Sequence, residues 1–252
     1  MNIFNNLSEL TYYIPNNSLI YADCLEAMKF IQDKSVDLVL ADLPYGITAN
    51  KWDSIIPLDL LWKHYERIIK PKGNIILFGT GLFAFKLALS NEKLFRYDMV
   101  WQKSKSGSPF TAKYMPLKKH ELVLVFGKPA ALYNPQMLKG EPYKRKWTPN
   151  KVNNMEYGIK GVETDNKGTR HPSTILTYNQ LWRRQDQLHP TMKPVELLEW
   201  LVKSFSNEGD LVLDNVAGSG STGKACINTN RNFILMENEL KYFEIIKSEL
   251  NI

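Results

Sequence analysis

The sequence predicts an open, mostly parallel α/β sheet flanked by helices, and three observations lead there. Apolar strand-like runs alternate with amphipathic stretches from 18 to 89, a tract rich in Pro, Gly and Asn interrupts the pattern over 128–188, and the alternation resumes from 195. With 252 residues, 44% hydrophobic and 23% charged, the chain can bury a sizeable core and fits one globular domain with an insertion.

Positions 18–22 read as a strand, 24–32 as a helix, 36–41 as a strand, 58–69 as a helix, 74–79 as a strand and 83–89 as a helix. This is the βαβ rhythm of parallel pairing. Val36-Asp37-Leu38-Val39-Leu40-Ala41 and Asn74-Ile75-Ile76-Leu77-Phe78 are nearly continuous apolar runs, as strands covered on both faces are. Strands over 97–102 and 121–126 have no helical pattern between them and predict a terminal antiparallel hairpin. Beyond the interrupting tract come a helix over 195–205, a strand over 210–216, a helix over 223–229, a strand over 232–236 and a helix over 239–250. Ligands of such sheets bind at the carboxyl ends of the strands.

No stretch approaches the roughly 18 uninterrupted apolar residues of a membrane span. Met1-Asn2-Ile3-Phe4-Asn5-Asn6 has neither the basic start nor the apolar run of a secretory signal, so a soluble, cytoplasmic protein with no membrane partner is expected. Cys24 and Cys226 are too few for a disulfide framework and have no neighbours at metal-ligand spacing; both are expected as reduced thiols in helices. His64, His120, His171 and His189 share no ligand spacing either, and no metal is expected. The net charge of +6 fits a polyanionic partner as well as a solvated basic surface.

Two segments carry the chemistry. Asp214-Asn215-Val216-Ala217-Gly218-Ser219-Gly220-Ser221-Thr222-Gly223-Lys224 leaves a buried strand, turns through glycines and enters a helix. Gly218 to Gly223 spells G-x-G-x-x-G, and Glu237 stands about 20 residues on, where a ribose-binding acid belongs. The stretch also nearly spells the phosphate-binding G-x-x-x-x-G-K-[ST], but Ala225 has no hydroxyl for magnesium, which disfavours a nucleotide triphosphatase. A nucleoside cofactor follows, with a ligand-free turn still open on spacing alone. Asp42-Leu43-Pro44-Tyr45-Gly46, directly after the strand over 36–41, puts an acid, a proline turn and an aromatic at a strand's carboxyl end. By itself it serves equally as a strand-terminating turn in which Asp42 caps backbone amides.

Together these segments give the chain a resemblance to amino-group DNA methyltransferases that use S-adenosylmethionine. Asp42-Leu43-Pro44-Tyr45 is similar to their D-P-P-Y catalytic motif, and Asp214 to Thr222 to their D-P-F-A-G-S-G-T cofactor loop. His189-Pro190-Thr191-Met192-Lys193-Pro194 resembles the H-P-x-x-K-P segment before that loop. The catalytic motif precedes the insertion and the cofactor loop follows it, the order of the circularly permuted beta subgroup. The resemblance covers nearly the whole chain apart from the insertion and implies a Rossmann-like class I methyltransferase fold. It divides the chain into a catalytic part over 1–127, an inserted target-recognition region over 128–188 and a cofactor-binding part over 189–252. Leu43 departs from the family's first proline but keeps the backbone carbonyl that the family uses. Asn215-Val216 departs from Pro-Phe, which removes an aromatic wall.

The resemblance implies roles as well. Asp42, Leu43, Pro44 and Tyr45 form the catalytic turn: Asp42 and the Leu43 carbonyl accept the two hydrogens of an exocyclic amine, and Tyr45 stacks on a base swung out of the duplex. For the cofactor, Glu237 accepts from the ribose hydroxyls, Asp23 from the adenine amine, and Asp214 with the loop amides faces the methionine portion. Thr191 and Lys193 meet its carboxylate, and Cys24, Asp42, Ala217, Gly218, Gly220, Ser221, Thr222 and Asn238 complete the site. A helix N-cap is the alternative for Asp23 and Asp214. In the insertion Lys144-Arg145-Lys146-Trp147, Lys160, Lys167, Arg170 and Arg183-Arg184 interleave with Tyr143, Tyr157, Tyr178 and Trp182, which suits a phosphate backbone; Lys103, Lys105 and Lys113 add to it from the hairpin connection.

The expected partner is double-stranded DNA, and a homodimer and a cognate restriction endonuclease are compatible with the resemblance. Asp at the first motif position goes with N6 of adenine. Its rivals are N4 of cytosine, another methyl acceptor (RNA, protein or a small molecule), or a DNA-binding module with a degenerate cofactor loop.

Overall fold

The computed structural model describes residues 1–46, 54–107, 109–145, 164–179 and 192–251. The first elements are β1 (Asn2–Phe4), β2 (Ser18–Tyr21), α1 (Cys24–Ala27), β3 (Val36–Ala41), α2 (Leu58–Ile68), β4 (Ile69–Gly79), α3 (Gly81–Leu89), β5 (Phe95–Lys103) and β6 (His120–Gly127). The short strands β7 (Leu138–Lys139), β8 (Tyr143–Arg145), β9 (Thr164–Asn166), β10 (Thr169–Arg170) and β11 (Ile175–Tyr178) follow. The chain ends with α4 (Val195–Phe205), β12 (Leu211–Asp214), α5 (Ser221–Asn228), β13 (Asn232–Glu237) and α6 (Leu240–Glu249).

Met1–Asn134 and Thr174–Ile252 make one compact unit, and Pro135–Ser173 a second. In the first, a sheet runs β1-β2-β13-β12-β3-β4-β6-β5-β11. Its pairs are parallel from β1 through β4, and β6 then lies antiparallel to both β4 and β5. Because alternate strand residues point to opposite faces, the core divides in two. Ile20, Val39, Leu77 and Leu213 pack with α1, α2 and α3, while Leu19, Leu38, Ile76 and Phe78 pack with α4, α5 and α6. Each such buried side chain contributes about 1.5–3 kcal/mol, which explains why β3 tolerates only one partly exposed residue, Asp37.

The structure corrects several sequence expectations. The hairpin of β5 and β6 is not terminal: β11, inside the expected insertion, pairs parallel to β5 from Ile175↔Val100 to Tyr178↔Lys103. Four residues are too few to show a period, yet Ile-Leu-Thr-Tyr is strongly strand-forming and Leu176 is buried. β1 is a further strand beyond the expected set; it is three residues long and pairs parallel to β2. The helix expected over 24–32 ends at Ala27 and tightens into a 3-10 turn, Met28–Phe30. β4 begins at Ile69, five positions ahead of its apolar run, across an irregularity in its pairing with β3.

The second unit holds two antiparallel ladders, β7 with β10 and β8 with β9. Here part of the basic and aromatic pattern is spent internally. Arg170 lies over the Tyr143 ring at 4.6 Å and donates to Asn166 at 2.6 Å, and Lys167 pairs with Asp165 at 2.7 Å.

Candidate active site

Two neighbouring strands lead into acids, β12 ending at Asp214 and β3 running directly into Asp42. β12 pairs with β3 through Val212↔Leu38 and Leu213↔Val39, so Asp214 leaves the sheet level with Leu40, two residues before Asp42, and both acids stand at its carboxyl edge. Both line a cavity of about 630 Å³, together with Asp23, Tyr45, Lys193, Gly218 and Glu237.

The loop after β12 is shaped by its glycines. Gly220 has φ 82°, a conformation that L side chains avoid, and a Cβ there would stand 3.1 Å from Ile246 of α6. Glu237, the last residue of β13, holds the loop from below: its Oε2 accepts from the Gly218 amide and its Oε1 from the Glu239 amide, each at 2.8 Å. Burial raises its carboxyl above the usual range. Asp214 accepts from the Val216 amide at 3.1 Å and the Thr222 hydroxyl at 2.6 Å. Those partners are neutral, and burial pushes this carboxyl up to about 7. Asn215, in the family's proline position, accepts from the Tyr65 hydroxyl at 2.6 Å and so ties the loop to α2.

The turn after β3 is held differently. The Tyr45 hydroxyl donates to Asp42 Oδ1 at 2.6 Å, and the Tyr45 ring centre is 5.0 Å from that of Phe83. Lys193 donates to Asp42 Oδ2 and stands 3.3 Å from Glu121 Oε2, while Lys103 donates to Glu121 Oε1. The Lys193 ammonium also lies over the Phe78 ring at 4.9 Å. Burial raises the Asp42 carboxyl above its ordinary value, with Lys193 opposing and Glu121 adding to the rise. Against burial, Lys193 and Lys103 hold Glu121 below its ordinary value. Against burial too, Asp42 and Glu121 hold the Lys193 ammonium above its own.

The structure thus gathers Asp42, Leu43, Pro44 and Tyr45 with Asp23, Cys24, Lys193, Asp214, Ala217, Gly218, Ser221, Thr222, Glu237 and Asn238 around one cavity. Gly220 backs the loop against α6 rather than lining it. Asp23 caps α1, its Oδ1 accepting from Leu25 and Glu26 amides at 2.9 and 3.2 Å, so the capping alternative is realised at the cavity's edge. Cys24 heads that helix and Cys226 lies in α5; both thiols are free and buried, and burial pushes Cys24 up to about 11. Lys193, expected beside a cofactor carboxylate, lines the cavity from between Asp42 and Glu121. Lys103, expected on DNA, is mostly buried and paired with Glu121, because an ammonium beside a buried carboxylate is held there. Lys105, Lys113, Lys144 and Arg145 are exposed; Thr191, Arg183 and Arg184 lie outside the described residues. Sequence reasoning missed Glu121, whose signal was an acid at the head of an otherwise apolar strand.

The DNA methylase family model matches residues 36–248, which takes in both strand-end acids and the loop between β12 and α5. This chain belongs to the DNA methylase family. The type II methyltransferase M.HpaI of Haemophilus parainfluenzae is 25% identical over 247 residues, 92% of this chain and 74% of that protein. The DNA adenine methyltransferase YhdJ of Escherichia coli strain K12 is 26% identical over 248 residues, 93% of this methylase and 83% of that one. Among solved structures, the M1.HpyAVI–SAM complex matches with a TM-score of 0.63 at 23% identity, covering 93% of this chain and 98% of that chain. The sheet of this methylase is accordingly that of the class I methyltransferase fold. No helix among its described residues is long and apolar enough to cross a membrane.

Proposed function

We propose that this DNA methylase transfers a methyl group from S-adenosylmethionine to the N6 amine of an adenine extruded from double-stranded DNA, and that it is a member of the circularly permuted beta subgroup. The carrying observation is the shared cavity, into which the Asp42 turn and the glycine loop with Glu237 open together. The chain order, β3 before β12, supports the permuted reading. The residues fit the cofactor. Glu237 stands at a strand end beneath the loop, as a ribose acceptor does, and Asp214 is a buried acid with neutral donors only, which favours a cationic ligand.

Bound there, S-adenosylmethionine supplies a methyl group activated by a sulfonium. The chain's own residues do the rest. The amine is a poor nucleophile because its lone pair is delocalised into the base. Asp42 and the Leu43 carbonyl accept its two hydrogens, which draws nitrogen towards tetrahedral geometry and turns the lone pair onto the methyl. Such alignment lowers the barrier by up to roughly 7–11 kcal/mol, more than one acid–base contact gives. Tyr45 leaves Asp42 Oδ1 to the incoming amine and stacks on the base. Stacking contributes about 1–3 kcal/mol, close to the few kcal/mol that extrusion costs.

Asp42 at the first motif position and the likeness to an adenine methyltransferase support adenine over cytosine. The region over 128–188, with Lys144 and Arg145 exposed, supplies target recognition while lending β11 to the sheet, and the parts over 1–127 and 189–252 supply the rest of the methyltransferase domain. Similarity to a type II methyltransferase supports a cognate restriction endonuclease, and a homodimeric state and a cytoplasmic setting are proposed with it. Nucleoside mass spectrometry on DNA methylated in vitro tests the assignment, with N6-methyladenine as the expected product. N4-methylcytosine would overturn the base and leave the scheme; bound DNA with no methylated product would leave a binding module.

A further inference from the structure

The cluster behind Asp42 contains a group that methyl transfer as described leaves unused. Glu121, at the head of β6, spends Oε1 on Lys103. Its Oε2 is buried and ion-paired with Lys193 Nζ at 3.3 Å but has no aligned hydrogen bond, while Nζ donates to Asp42 Oδ2. A buried carboxylate oxygen left in that condition is costly unless a second state of the site uses it.

We propose that Glu121 is a positioning residue that takes over the Lys193 ammonium when Asp42 receives the amine proton. The inference rests on the methyltransferase reading. As the nitrogen–carbon bond forms and the sulfur–carbon bond breaks, the methylated amine becomes cationic. Its N–H proton passes to Asp42 Oδ1, and the bonding pair stays on nitrogen. A neutral Asp42 no longer balances a buried ammonium, so Nζ turns from Oδ2 to Oε2, already within reach. The proton then leaves Asp42 for water through the cavity, and Nζ returns. Lys193 stays paired throughout, and the sulfonium charge of the reactants leaves as one released proton.

Among the described residues, the charges facing these groups are few. Asp42 meets Tyr45 from its own turn, Lys193 from the segment before α4, Glu121 from β6 and Asp214 from β12. Glu121 meets Lys103 from β5 and Lys118 from the segment before β6. Glu121 repels charge on Asp42 and competes for its cation, so both effects favour the proton on Asp42.

The test is the single-turnover rate of the full-length protein on plasmid DNA at saturating cofactor, followed from pH 5 to 9. In Glu121→Gln the plateau rate falls about tenfold, and the acid limb moves down by about half a pH unit or more, with cofactor affinity unchanged. Glu121→Asp recovers part of the rate. Lys103→Met leaves Glu121 hungrier for Lys193 and moves the acid limb the opposite way, to higher pH, which keeps the test decisive should Glu121→Gln fail to fold. A lower plateau with unmoved limbs in both variants means a packing role and overturns the proposal. A wild-type protein that yields no methylated base overturns the underlying function instead.

Discussion

Asp42 and Asp214 stand at the carboxyl ends of adjacent strands and face the same cavity, but their charges are managed in contrasting ways. Asp42 has a lysine, which it shares with Glu121, and a tyrosine hydroxyl. Asp214 has a threonine hydroxyl and a backbone amide, neither of them charged. An acid supplied with a counter-ion is set before any ligand arrives. An acid given neutral donors leaves its charge to be balanced by what binds, and until then burial keeps it raised, to about 7. The first arrangement suits a group that orients a neutral amine, the second a group that waits for a cation.

The contrast breaks most sharply under substitution of Asp42. Asp42→Ala should lower single-turnover methyl transfer on the order of 10²- to 10³-fold while cofactor affinity, read by calorimetry, stays within about threefold. A near-normal rate in the folded variant would reassign the catalytic turn.

Asp214 sharpens it from the other side. Because its carboxyl is raised to about 7 in the free protein, a cationic cofactor must displace a proton below that pH. Affinity should therefore climb about tenfold per pH unit up to about 7 and then level off, a dependence that Asp214→Asn abolishes. For the unliganded protein the sign is reversed. A carboxyl raised on folding binds more protons folded than unfolded, so stability falls as pH rises from about 4 to about 7. Thermal melts across that window should show Asp214→Asn gaining relative stability towards its upper end.

Smaller effects are expected further from the two acids. Tyr45→Ala should raise the KM for DNA roughly 5- to 150-fold, the equivalent of 1–3 kcal/mol of stacking, and leave the pH dependence of cofactor binding intact. Alanines at Lys144, Arg145, Arg183 and Arg184 should flatten the salt dependence of DNA binding by about 0.9 in log–log slope for each phosphate that is no longer neutralised. An unchanged slope would return these residues to a solvated surface.

The core strands were legible because burial on both faces forces continuous apolar runs, as in β3 and β4. β11 was not, since its pairing with β5 is a tertiary event that four residues cannot announce. Within the site, Asp42, Asp214 and Glu237 stood out because strand, turn and glycine spacing mark strand ends. The Lys193 contacts were invisible. Which acid holds that lysine depends on Glu121, far away in sequence and brought near only by the antiparallel placement of β6 beside β4. The pairing of Lys103 was hidden for the same reason: a lysine on a hairpin looks solvated until its partner across the ladder is known.

The strand order also sets a timetable for biosynthesis. β12 and β13 slot between β2 and β3, although they are made long after both. As the chain leaves the ribosome, β2 and β3 must therefore wait with open edges, and the cavity gains Asp214 and Glu237 only when the last strands arrive. Parallel pairings of such long sequence separation form slowly and leave edges that invite aggregation. Slowed translation or chaperone depletion should accordingly cost this protein yield before it costs the finished molecule any activity.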